Sequence, residues 1–124
     1  MRSVVVDDRG SGDALVYVPG IDASGELLLG TAARLREAFR LVRLRHVADD
    51  ARSDDRYAHM AASIVAALDE RGIERAALIA ESFGGAVALT CALEHPERVR
   101  ALAIVNSFAQ FPQRARLALS RLGS

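Results

Sequence analysis

Ser82, within Ala80-Glu81-Ser82-Phe83-Gly84, is the residue whose setting most directly suggests chemistry. The run Ala76-Ala77-Leu78-Ile79-Ala80 before it lacks polar alternation and reads as a buried parallel strand. A helix-period pattern follows the serine at once. A hydroxyl held at a sharp turn between strand and helix can attack a carbonyl, which is the arrangement of a nucleophile elbow. Such a turn strains the backbone, so the residues two before and two after must be small. Here they are Ala80 and Gly84, and Gly85 leaves room for the helix to pack close to the sheet. The helix also points its first N–H groups toward the serine, where negative charge would develop. An ordinary strand-to-helix loop with a serine N-cap would carry the same residue types.

This stretch resembles the elbow of the α/β-hydrolase family, written G-x-S-x-G, with alanine in the first place here. The resemblance implies a second feature, a loop after an earlier strand whose N–H supplies half of an oxyanion hole. That loop corresponds to Pro19-Gly20-Ile21-Asp22-Ala23-Ser24-Gly25. The implied donors are the backbone N–H groups of Ile21 and Phe83, with Gly20 as the turn residue. Proline replaces the family's usual histidine. The Pro-Gly-Ile-Asp loop and the Glu-Ser-Phe-Gly-Gly elbow together are similar to esterase, thioesterase and acyltransferase members. The implied activity is hydrolysis of an ester or thioester through an acyl-enzyme on Ser82, or acyl transfer by the same serine. The implied partner is a small-molecule acyl ester or thioester. Epoxide and haloalkane chemistry in this fold uses an aspartate nucleophile, which Ser82 is not.

The family's triad runs Ser, then Asp or Glu, then His. After Ser82 there is no aspartate, and the candidates Glu94, His95 and Glu97 lie at the far end of the following helix. A dozen helical residues span about 18 Å, too far to reach the serine hydroxyl. The expectation is therefore that residues 1–124 are a partial α/β-hydrolase domain, the N-terminal portion of a longer hydrolase, inactive alone. A non-catalytic module keeping Ser82 only for its turn is the competing reading.

The elements that must position these residues follow from the sequence patterns. Ser3 to Val6 reads as a short strand ended by the polar turn from Asp7 to Asp13. Ala14 to Val18 is an apolar strand. Gly10 and Gly12 precede a strand, so they form no dinucleotide loop, and no Lys-Ser/Thr makes Gly20 to Gly25 a phosphate loop. A helix is expected over Glu26 to Ala38, with Leu28, Ala32, Leu35 and Phe39 on one face. A strand is expected over Phe39 to Val47, with His46 near its end read as a surface residue and a substrate-side group as the alternative. The loop from Ala48 to Asp55 lacks the family's Asp-x-x-Gly-x-Gly pattern and supplies no functional residue. Tyr57, Met60, Ala61, Ile64, Val65 and Leu68 form an apolar helical stripe, with Asp54 and Asp55 at its positive end and Gly72 as its C′ residue. His59 falls off the stripe and is expected at the surface. Ala101 to Val105 reads as a further buried strand, and Arg114 to Leu122 as the start of a basic helix that could open a cap. Alternating strands and helices predict a parallel-sheet α/β-hydrolase core in three αβα layers. The resemblance runs from the second strand to Phe108.

Composition is compatible with that reading. The 124 residues fit one domain, 51% are hydrophobic, 26% are charged, and the formal net charge is zero. Nothing in that balance recommends nucleic acid as a partner. All the basic residues are arginine, and they are scattered. No apolar run is long enough to span a bilayer and no signal peptide is evident, so the default compartment is cytoplasmic. No cofactor and no metal are implied, because His, Cys and Asp do not cluster. Cys91 reads as a small buried hydrophobe. If the strand at Ala101–Val105 is left as an edge, it predicts poor solubility or self-association of the isolated 124 residues, visible by size-exclusion chromatography.

Overall fold

A computed structural model describes residues 1–20, 29–52 and 54–105. Its elements are β1 (Arg2–Arg9), β2 (Ala14–Val18), α1 (Leu29–Ala38), β3 (Arg40–Val47), α2 (Arg56–Glu70), β4 (Ala76–Glu81), α3 (Phe83–Glu94) and β5 (Val99–Val105). Every residue of β2 is buried. An all-apolar strand of this kind needs neighbours on both edges and cover on both faces. It has them: the sheet order is β1-β3-β2-β4-β5, with β2 in the middle between parallel β3 and β4.

The sheet divides its side chains between two cores. Val16, Val18, Val42, Leu44, Leu78 and Ala80 pack with Met60, Ile64, Leu68, Val87 and Cys91 on the α2–α3 face. Leu15, Tyr17 and Leu41 pack with Ala32 on the α1 face. This is the expected αβα layering. Burying each of Met60, Ile64 and Leu68 contributes about 1.5–3 kcal/mol. Cys91 lies in the first core, and burial pushes its thiol up to about 11, so it behaves as a hydrophobe.

The first strand departs from expectation in two ways. It continues through Asp7 and Asp8 to Arg9, and it pairs with β3 antiparallel, so the sheet is mixed rather than wholly parallel. Aspartate is a poor strand former, but here its charge is compensated. Asp7 pairs with Arg9, Arg36 and Arg43, and Asp8 with Arg40 and Arg71. A bulge between Val5 and Asp7 leaves Val6 exposed.

Helix α2 matches its sequence signals closely. The Asp55 carboxylate accepts from the Ala58 N–H at 3.0 Å. At the other end Gly72 has φ +66°, its N–H donates to Asp69 O at 3.1 Å and that of Ile73 donates to Leu68 O at 2.9 Å. These two bonds form a Schellman cap, sealed by buried Ile73.

At the far edge β5 pairs with β4, and Ile104 and Val105 are 42% and 45% exposed. The strand read as buried is thus largely exposed, because β4 is its one sheet partner among the described residues. The loop expected at Ile21 to Gly25, the start of the first helix and the expected helix from Arg114 lie outside the described residues. Among the described residues no helix is long and apolar enough to cross a membrane.

Candidate active site

Strand β4 alternates buried and half-buried residues up to Glu81, and the chain then turns at Ser82 with φ 51° and ψ −122°. Ser82 is the one non-glycine among the described residues with positive φ. An L-residue holds such angles only when its surroundings enforce them, at a cost of about 1–3 kcal/mol. An ordinary N-cap adopts extended angles and accepts a backbone N–H through its side chain. Ser82 does neither; its side chain makes no capping bond to α3 and is exposed. Ser82 thus stands at the N-cap position of α3 without the angles or the side-chain bond of an ordinary cap.

The neighbours enforce the turn. The Ser82 N–H donates to Val105 O at 3.2 Å, and its carbonyl accepts from the Gly85 N–H at 2.9 Å. Ala80 is fully buried. A Cβ on Gly84 would lie 2.4 Å from the Pro19 carbonyl oxygen and 2.5 Å from that of Val18. The first turn of α3 thus sits directly on the chain leaving β2 at Val18 and Pro19, and Gly20, which follows, is buried. Gly85 is buried as well. Phe83 opens α3, where helical N–H groups have no intrahelical carbonyl to meet. Ile21, the other expected donor, lies outside the described residues.

Three contacts at this end of the sheet were not legible in the sequence. The Tyr17 hydroxyl donates to Glu81 Oε2 at 2.7 Å, tying β2 to the residue before the serine. A tyrosine in an all-apolar strand signals that its hydroxyl needs a partner. The Phe83 ring meets His46 edge-on at 5.8 Å, Tyr57 at 5.8 Å, and the Arg56 guanidinium at 5.4 Å.

The third contact corrects an expectation. His46 is 6% exposed, not at the surface. Its Nε2 lies 2.9 Å from Pro19 O and its Nδ1 3.0 Å from Ser3 Oγ. A carbonyl only accepts, so Nε2 carries the proton. With both nitrogens so engaged, His46 is not placed as the base for Ser82. His59 is half-buried rather than free at the surface, its Nε2 2.6 Å from Asp49 Oδ2. His95 caps the distant end of α3, as its position in the sequence predicts. Among the described residues no set of three His, Cys, Asp or Glu side chains is grouped to hold a metal.

Comparison with known proteins agrees with this fold. The family model for the alpha/beta hydrolase fold matches residues 33–122. RutD of Klebsiella pneumoniae, which carries the name of a carbamate hydrolase, is 32% identical over 99 residues, 76% of this chain and 37% of its own length. A 2-hydroxymuconate semialdehyde hydrolase from Pseudomonas sp. is 51% identical over 43 residues, 35% of this chain and 15% of its own. Among solved structures, an esterase from Thermogutta terrifontis superposes with TM-score 0.77 at 18% identity, covering 93% of this chain and 44% of that one. Est816, described as an N-acyl homoserine lactone degrading enzyme, superposes with TM-score 0.76 at 21% identity over 94% and 48% of the two chains. The chain thus spans well under two thirds of the length of these relatives. With its elbow, its sheet order and this match, the chain belongs to the α/β-hydrolase fold family.

Proposed function

We propose that Ser82 is the nucleophile of a serine hydrolase acting on esters or thioesters. The observation that supports it most is the strained, exposed Ser82 at the N-terminus of α3, pressed by Gly84 against Pro19. The Ser82 hydroxyl attacks the substrate carbonyl and gives its proton to a histidine. No acid or histidine is assigned to the triad within residues 1–124: His46 is bonded to Pro19 and Ser3, His59 to Asp49, and His95 caps the far end of α3. The Phe83 and Ile21 N–H groups hold the oxyanion. Water then releases the acyl group and restores the hydroxyl. Transfer of the acyl group to an alcohol would use the same first half. The relatives named as hydrolases favour water as the acceptor.

The test is turnover of a p-nitrophenyl acyl ester by the complete hydrolase containing this chain. Ser82→Ala is expected to lower kcat by at least about 10³-fold, as removing a catalytic serine does. Unchanged turnover in that variant would reject the proposal. A complete hydrolase that binds acyl esters without turning them over would favour the binding-module reading.

A further inference from the structure

We propose that His46 is a positioning residue for this site, holding the turn after β2 in place against the elbow. The inference rests on the acyl-transfer reading of Ser82. A buried histidine in a hydrolase invites assignment as the general base, but its bonds point elsewhere. Nε2–H donates to the Pro19 carbonyl at 2.9 Å, and Nδ1 meets Ser3 Oγ on the neighbouring antiparallel strand at 3.0 Å. The ring edge rests on Phe83, the residue after the nucleophile.

The Pro19 carbonyl is also the oxygen against which Gly84 packs. One buried peptide group is therefore held from the β3 side by an imidazole N–H and faced from the other by the first turn of α3. Proline has no N–H, so Pro19 has only this carbonyl through which its backbone can be anchored. Without the donor, a buried carbonyl would be left unpaired, and the Pro19–Gly20 peptide would rotate to find a partner. That rotation would shift the Gly84 contact and with it Phe83 and Ser82. Small misplacements of this kind cost rate rather than affinity. Ser3 fixes the ring from the other side, its hydroxyl lying 3.0 Å from Nδ1.

Two variants and one spectrum test this. His46→Gln keeps an N–H donor at similar reach; His46→Phe keeps a ring against Phe83 and loses the donor. In the complete hydrolase, His46→Phe is expected to lower kcat for an acyl ester about tenfold or more at KM within about twofold, below the loss from deleting an oxyanion donor outright. His46→Gln should stay within about threefold of wild type. Long-range ¹H–¹⁵N spectra of the wild-type protein should show His46 protonated at Nε2. An Nδ1-protonated ring, or His46→Gln as slow as His46→Phe, overturns the proposal. So does His46→Phe with wild-type kcat. If Ser82→Ala leaves ester turnover intact while the ring is still Nε2-protonated, the acyl-transfer reading fails, and the positioning role falls with it for a distinguishable reason.

Discussion

At Ser82 the backbone is held at angles that glycine tolerates and serine does not. Function and stability therefore pull apart at this residue. Ser82→Gly should be more stable than Ser82→Ala by about 1 kcal/mol, because only glycine relieves the strain and part of the gain is offset by its unfolded-state entropy. Chemical denaturation of the two variants measures the difference. Equal midpoints, or a less stable glycine variant, would mean that the turn carries no strain. His46 shows the reverse case, a residue whose type suggests proton transfer and whose bonds assign it to structure. Residue type alone could not separate the two roles, since the ring's partners are Ser3 and Pro19, distant in sequence.

At the scale of elements, the joint between β2 and α3 is the close contact on which the site depends. Gly84→Ala would put a methyl group 2.4 Å from a backbone oxygen that cannot swing aside. The variant should lose about 1–3 kcal/mol or more, and thermal melting measures it. A melting temperature equal to wild type would show that α3 does not press on the chain after β2. The order of elements and the α2 caps were legible, because hydrophobic period and cap residues are local properties. The length and direction of β1 were not. Its extension through Asp7 and Asp8 depends on Arg36, Arg40, Arg43 and Arg71, which fold back from α1, β3 and the end of α2. The sharp turn at Ser82 was legible for the same local reason as the caps: Ala80, Gly84 and Gly85 lie within three residues of it. The Tyr17–Glu81 and His46–Pro19 bonds cross between strands, and no spacing rule announces them.

At the scale of the whole molecule, the aspartates that bind β1 and the β3–α2 loop set the response to acid. Asp49 is held down to about 2, first by the Met1 ammonium and then by His59. Asp8 is lowered chiefly by its bond to Arg40. For Asp7, burial acts upward, but the bonds and charges of Arg36 and Arg43 outweigh it and the net shift is downward. A carboxylate with a depressed folded-state pKa stabilises the fold above its unfolded value, about 3.9, and that stability is lost as pH falls toward the folded value. The stability carried by these three carboxylates should therefore be level above about pH 5 and decline between about pH 4 and 2. Asp49→Asn should flatten part of that decline. A variant as acid-sensitive as wild type would show that the Met1–Asp49–His59 contacts do not couple to folding.

The nucleophilic role of Ser82 is tested most directly by fluorophosphonate labelling followed by peptide mapping. In the complete hydrolase the adduct should form rapidly on the peptide containing Ser82 and disappear in Ser82→Ala. Residues 1–124 alone should label slowly or not at all, because the His46 ring is bonded to Pro19 and Ser3 and the His59 ring to Asp49. An adduct on another serine such as Ser63, or a complete hydrolase that stays unlabelled, would contradict the assignment.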